Sequence, residues 1–149
     1  MPPNDEVCNK RFADFDLHGK TFVVTGGARG LGLSLAEALV EAGGKVYCLD
    51  RAEEPDREWE DTRRRVVSEW GASLVYRQQD VRDTKHLQST IEAIAEEHQQ
   101  LNGAIVAAGV LQIMHAMEYT TKDAAAMLAT NFMGAFETAS AAGSDDVQV

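Results

Sequence analysis

The sequence predicts an α/β protein built on a doubly wound parallel sheet, and three observations carry that expectation. Short apolar, β-rich runs alternate with helical patterns of about ten residues or more. The first run passes directly into a glycine-rich turn, Thr25-Gly26-Gly27-Ala28-Arg29-Gly30-Leu31-Gly32, which opens the first helix. The fourth run, Ala104–Ala108, is apolar throughout, as a parallel strand covered on both faces must be. Such an alternation implies right-handed βαβ units.

Each element has a local reason. Residues 1–19 are polar and mixed in charge and read as a lead-in, with Phe12, Phe15 and Leu17 packing onto the body. Thr21-Phe22-Val23-Val24-Thr25 is the first strand. From Leu31 to Ala42 the positions Leu31, Leu35, Ala38, Leu39 and Ala42 recur at helical spacing, and Gly43-Gly44 stops the helix. Lys45–Leu49 is the second strand, followed by a charged helix from about Glu53 to Trp70. The third strand begins at Ser73 and runs to Tyr76 or Gln78. The next helix, about Asp83 to Gln100, carries Leu87, Ile91, Ile94, Ala95 and His98 on one stripe. A last helix, about Lys122 to Ala142, places Leu128, Phe132 and Phe136 four residues apart, a stripe expected to face the sheet. The organisation is thus a lead-in over 1–19, one domain over 20–142 and a polar tail over 143–149.

Composition narrows the function. The chain has 149 residues, room for one domain, with 14 Lys+Arg against 24 Asp+Glu and a formal charge of −10. That charge repels a phosphate backbone. The one basic cluster, Arg63-Arg64-Arg65, lies among Glu58, Glu60, Asp61 and Glu69, so no nucleic-acid partner is expected. Two cysteines, Cys8 and Cys48, make no disulfide framework, and Cys48 lies in a strand where it packs as an apolar residue. The four histidines, His18, His86, His98 and His115, show no metal-ligand spacing, so no metal is expected. The first residues have neither a basic start nor an apolar stretch of signal-peptide length, and no run approaches a membrane span. The expectation is a soluble, cytoplasmic protein with no membrane partner.

The glycine turn carries chemistry. Glycines at 26, 30 and 32 allow a tight turn, close approach of a pyrophosphate, and contact between helix and strand. The phosphates would rest on backbone N–H groups at the helix N-terminus, where the dipole favours negative charge. Asp50 closes the second strand about 24 positions after Gly26, close to the interval expected for an acid that accepts hydrogen bonds from the adenosine ribose. A carboxylate there repels a 2′-phosphate, so NAD is favoured. NADP stays open, because Arg29 and Arg51 could attract the 2′-phosphate if they turn inward.

The motif Thr25-Gly26-x-x-x-Gly30-x-Gly32 resembles the cofactor turn of short-chain dehydrogenases/reductases. Further matches follow in order: Asp80-Val81 after the third strand, Ala107-Ala108-Gly109 after the fourth, and Asn131 in the last helix. The wording of Val46-Tyr47-Cys48-Leu49-Asp50-Arg51 and Gln79-Asp80-Val81-Arg82-Asp83 is most similar to fungal polyol or sorbose-reductase-like members. The resemblance implies a Rossmann-like fold with sheet order 3-2-1-4 and hydride transfer between a nicotinamide and an alcohol/ketone pair. It implies cofactor contacts from Gly26, Arg29, Gly30, Leu31, Gly32, Asp50, Asp80, Val81, Ala108 and Gly109, with Asp80 and the Val81 backbone meeting the adenine. It also implies a proton-relay place for Asn131, whose position in a helix interior runs against propensity and so suggests a tertiary task. Where the family pattern usually has Asn, this chain has Ala107.

The rest of the family's catalytic set is missing. That set needs a Tyr with Lys four residues later and a Ser from a preceding strand end, so that an ammonium lowers the phenol pKa. Tyr47, Tyr76 and Tyr119 are the only tyrosines, and none has Lys at the fourth following position. Tyr119 has Lys122 three residues on, upstream of Asn131, so both order and spacing are wrong. Ser140 and Ser144 follow Asn131 with no fifth strand before them, and His115 reads as an exposed loop residue. The fold is therefore expected to stop after the fourth strand and its helix, as truncation, splicing or a shifted frame would produce. The alternatives to an oxidoreductase are a non-catalytic nucleotide-binding or interaction module, self-associating or joined to a full-length relative, and an unproductive fragment. A methyltransferase-like domain is disfavoured by its different glycine spacing.

Overall fold

The computed structural model describes residues 15–144. Four parallel strands, β1 (Thr21–Thr25), β2 (Lys45–Asp50), β3 (Leu74–Gln78) and β4 (Gly103–Val106), form one sheet in the order β3-β2-β1-β4. Between them run α1 (Gly30–Glu41), α2 (Arg57–Trp70) and α3 (Thr84–His98). After β4 come α4 (Thr121–Leu128), a π-helical turn at Ala129–Gly134, and α5 (Ala135–Ala142). The parallel order and the doubly wound layering are those the sequence predicts.

Neighbouring residues on each strand point to opposite faces, which builds two cores. Val23, Tyr47 and Leu49 pack with Leu87, Ile91, Ile94 and Ala95 of α3 and Ala141 of α5. Val24, Val46 and Cys48 pack with Leu33, Ala36 and Val40 of α1 and with Trp59 and Val66 of α2. The α3 stripe lies as the periodicity requires, with His98 at its half-buried end. Asp56 caps α2 by accepting the Trp59 N–H at 3.3 Å, so the helix starts after Pro55 rather than at Glu53. The arginine cluster is neutralised at the surface: Arg63 pairs with Glu60, Arg64 with Asp61, and Arg65 with Glu37. Among the described residues no helix is long and apolar enough to cross a membrane.

Several local expectations are corrected. The buried face of α1 is Gly32, Leu33, Ala36 and Val40, while Leu31 is 73% exposed and Ala38 is exposed. The helix is apolar nearly all round, so its periodicity did not single out a face. Strand β4 starts at Gly103 and ends at Val106, because Ala107 and Ala108 turn away into the loop. It is an edge strand, half-exposed rather than covered. The stripe on the last helix does not face the sheet: Leu128, Phe132 and Phe136 are 57%, 62% and 61% exposed. Gly134, Thr138 and Ala141 turn inward instead, since the π-helical turn rotates the helix and a Cβ at Gly134 would meet Val81 Cγ2 at 2.5 Å. Phe15 is exposed and Leu17 half-buried, with the Leu17 N–H donating to the Ala42 carbonyl at 2.9 Å. Phe12, Cys8 and the end of the polar tail lie outside the described residues.

Among the described residues the outer edge of β4 is unpaired, and such an edge together with the exposed Phe132 and Phe136 favours association between chains. The protein is expected to self-associate at micromolar concentration, and Phe132→Ser with Phe136→Ser should reduce that association without lowering the urea midpoint. Light scattering across the range checks this; a sharp monomer peak for the unaltered chain would contradict it.

Candidate nucleotide-binding site

The carboxyl ends of the strands converge on one cleft, and the β1–α1 turn forms its floor. The Gly26 and Gly27 N–H groups donate to the Leu49 carbonyl at 2.8 and 3.4 Å, which locks the turn to β2. The Ala107 N–H donates to the Thr25 carbonyl at 3.1 Å, and the Ala108 N–H reaches Thr25 Oγ1 at 3.4 Å, locking it to β4. Three glycines of the turn are required by space, Gly27 among them, where a Cβ would lie 2.8 Å from Cys48 Cβ. A Cβ on Gly32 would lie 2.1 Å from the Gly26 carbonyl oxygen, and one on Gly26 would lie 2.7 Å from Ala108 Cα. Gly30 is required by conformation: its φ is +54°, yet a Cβ there would meet nothing within 4 Å. The open space lies over the first turn of α1.

That helix end is available to an anion. Arg29 occupies its cap position with extended backbone and makes no side-chain capping hydrogen bond. The first-turn N–H groups therefore have no side-chain acceptor, and the cap residue Arg29 itself lines the cleft. Asp50 adjoins them, with Oδ2 accepting the Ala28 N–H at 3.3 Å and Oδ1 free of hydrogen bonds among the described residues. The backbone presents N–H donors for phosphate oxygens beside a carboxylate that accepts from hydroxyls, which is the donor and acceptor pattern of a pyrophosphate joined to a ribose.

The far wall comes from the loop after β3. Asp80 is gripped by Arg82, whose Nε lies 3.0 Å from both carboxylate oxygens and whose own N–H donates to Oδ1 at 2.9 Å. The Arg82 hydrogen bonds hold the Asp80 carboxyl below the usual carboxylate range, so it stays an acceptor. Asp80 does not cap the following helix; Asp83 does, accepting the His86 N–H at 3.2 Å. The Val81 side chain is buried, so what it can offer a ligand is backbone. Ala108 and Gly109 line the opposite side with Val110 and Thr130, while Leu31 stands exposed by the turn. Arg29, Arg51 and Arg82 line the same cleft, and its open volume is about 510 Å³ including the mouth.

Asn131 has a visible task. Its Oδ1 accepts the Val110 N–H and its Nδ2 donates to the Val110 carbonyl, both at 2.8 Å. The side chain thus clamps the loop after β4, and the π-helical turn that carries it gives it that reach. Tyr119 stands just before α4 with its hydroxyl 3.6 Å from Met127 Sδ, and His115 is exposed in its loop. Sequence reasoning passed over Gln79, which is buried: its N–H donates to the Asp50 carbonyl at 2.6 Å, its Oε1 accepts from the Thr90 hydroxyl at 2.7 Å, and its Nε2 donates to the Asp80 carbonyl at 2.8 Å. Thr130 and Val110 were also missed. Nothing in their residue types distinguishes them before the loop is folded.

Comparison with known proteins identifies the family. The pattern of the short chain dehydrogenase family matches residues 20–145, and the chain belongs to that family. It is 30% identical over 130 residues to a D-threitol dehydrogenase of Mycolicibacterium smegmatis, covering 87% of this chain and 48% of that protein. It is 31% identical over 97 residues to a benzil reductase ((S)-benzoin forming) of Saccharomyces cerevisiae, covering 63% of this chain and 34% of that one. The solved structure of a putative short-chain alcohol dehydrogenase from Sinorhizobium meliloti superposes with a TM-score of 0.77 at 35% identity, over 87% of this chain and 50% of that one. The chain thus spans half or less of the length of these relatives.

Gly32→Ala is expected to cost about 3 kcal/mol or more, because the added carbon meets backbone that cannot yield. Gly30→Ala should cost only about 1–2 kcal/mol, the ordinary penalty of a left-handed conformation. Urea unfolding separates the two, and equal midpoints would contradict the packing argument. A further outcome concerns pH. The folded pKa of Asp80 is depressed, so its stabilising contribution is full above the ordinary carboxylate range near about 3.9 and is lost as pH falls through the lower folded value. Arg82→Ala should raise the Asp80 carboxyl toward the ordinary range in a carbon-detected NMR titration; no change would show that the guanidinium is not the cause.

Proposed function

We propose that this chain binds the adenosine and pyrophosphate of a nicotinamide dinucleotide, NAD in preference to NADP, and does not by itself turn over substrate. The observation that carries the reading is the helix end without a side-chain cap beside the free oxygen of Asp50 in one cleft. The first-turn N–H groups of α1 would hold the pyrophosphate, Asp50 the ribose hydroxyls, and Asp80 with the Val81 backbone the adenine. Ala108 and Gly109 would let the nicotinamide end lie close to β4. Asp50 would set a like charge against a 2′-phosphate in a partly desolvated cleft, which opposes the pull of Arg29 and Arg51.

A bound nicotinamide supplies or accepts a hydride, and the reaction of the whole protein would be interconversion of an alcohol and a ketone. A polyol is the favoured substrate class, in keeping with the resemblance of the Asp50 and Asp80 segments to polyol-type members and with the D-threitol dehydrogenase relative. Within these 149 residues no Tyr has Lys at the fourth following position, so no phenol-ammonium pair exists to exchange a proton with the substrate oxygen. Asn131 would keep its relay place with no relay. General acid–base help is worth about 10²–10⁴ in rate, and lost positioning costs more. The thiol of Cys48 is buried and pushed up to about 11 by burial, so it packs as an apolar residue.

A second reading has its own observation. The β4 edge and the exposed Leu128, Phe132 and Phe136 suit an interaction module that joins a full-length relative or a second copy.

Calorimetric titration with both cofactors is expected to show weak binding, tighter for NAD than for NADP; tighter NADP binding would show that the arginines prevail. Purified chain with NADH and a panel of ketones and sugars should leave the nicotinamide absorbance unchanged. Oxidation that Asp50→Ala abolishes would contradict the reading.

A further inference from the structure

We propose that a second crevice, at the amino-terminal ends of the strands and opposite the nucleotide cleft, binds a compact oxyanion of the phosphate class between Lys20, Lys45 and His98. The crevice has an open volume of about 690 Å³ including its mouth, and its polar side chains are Lys20, Thr21, Lys45, Ser73, His98 and Gln100. No carboxylate lines it, on a chain whose acids outnumber its bases by 24 to 14. Among the described residues neither lysine is ion-paired. The described arginines at 63, 64, 65, 77 and 82 all have carboxylate partners. Two unpaired ammonium groups sharing one crevice repel each other, and an anion between them relieves that repulsion.

The hydrogen-bond chain behind the crevice orients His98. The Tyr47 hydroxyl donates its single proton to Glu97 Oε1 at 3.0 Å, and Arg77 Nη2 donates to Glu97 Oε2 at 2.7 Å. Tyr47 can then only accept at its 2.6 Å contact with His98 Nε2, which makes Nε2 the protonated nitrogen. His98 Nδ1 is left facing the Lys45 ammonium at 3.4 Å as an acceptor. The groups around the imidazole are thus Lys45 and Tyr47 of β2 and Glu97 of α3, with Arg77 of β3 acting through Glu97. The two ammonium groups of Lys20 and Lys45 match a dianion better than a singly charged carboxylate. The adjoining groove, which shares Gly43 and Ala72, holds Asp16 and Glu41, so a ligand extended that way meets like charge and the fitted ligand is small.

Titration of the full chain with inorganic sulfate, a compact dianion, tests this by NMR. The His98 ring and the Gly43 and Gly44 amides are expected to shift saturably. His98→Gln, Lys45→Gln and Lys20→Gln should each weaken binding about fivefold or more. Acetate should bind more weakly than sulfate or phosphate. If Lys45→Gln disturbs the fold, the exposed Lys20→Gln decides, with circular dichroism as the control. Shifts that never saturate, that persist in Lys20→Gln, or that are confined to residues 26–32 of the nucleotide turn would overturn the proposal. The inference stands apart from the nucleotide reading, since its reporters lie at the other end of the sheet.

Discussion

The structure depends on one close approach: α1 sits so near the end of β1 that nothing larger than hydrogen fits between Gly32 and the Gly26 carbonyl. The same carbonyl turn presses against the backbone of Ala108, so β1, α1 and the loop after β4 are fixed relative to one another by contact rather than by long side chains. The Leu49 carbonyl ties this unit to β2 through two N–H donors. Once the turn is set, the α1 N-terminus must open above the carboxyl edge of the sheet. The position of the cleft follows from that packing.

Polar groups then hold the cleft's walls where apolar packing cannot. Gln79 is the central one, because its backbone and side chain together reach Asp50, Asp80 and Thr90 from a buried position. Such a satisfied network is stiff, since breaking any one bond strands a buried polar group. Asn131 does the same on the other wall with its paired bonds to Val110. The two carboxylates that face the cleft are therefore mounted on backbone that has little freedom to move.

The strands, α3 and the glycine turn were legible because their residue patterns answer to a single demand. Alternating apolar runs can be covered only by helices, and glycines at 26 and 32 have a use only where backbone approaches backbone. The last helix was misread for the opposite reason. Leu128, Phe132 and Phe136 recur at helical spacing and look like a buried face, but the inward face is made of Gly134, Thr138 and Ala141, small residues with no apolar signal. Helix α1 failed similarly, since a helix apolar nearly all round does not declare its buried side. Asn131 was recognisable as out of place in a helix, yet its partner Val110 was not, because a clamp on a backbone amide leaves no trace in the clamped residue's type. Gln79 shows the same limit: its role depends on Asp50 and Thr90, which lie elsewhere in the sequence, as well as on adjacent Asp80.

The central claim is that the glycine turn, Asp50 and Asp80 form one preorganised site for an adenosine diphosphate group. Titration of isotopically labelled protein with ADP, which lacks both nicotinamide and 2′-phosphate, tests it most directly. The account predicts saturable shifts of the Gly26–Gly32 amides together with those of Asp50, Asp80 and Val81, following a single binding curve. Shifts spread evenly over the surface, or a turn that responds while Asp50 and Asp80 do not, would contradict it.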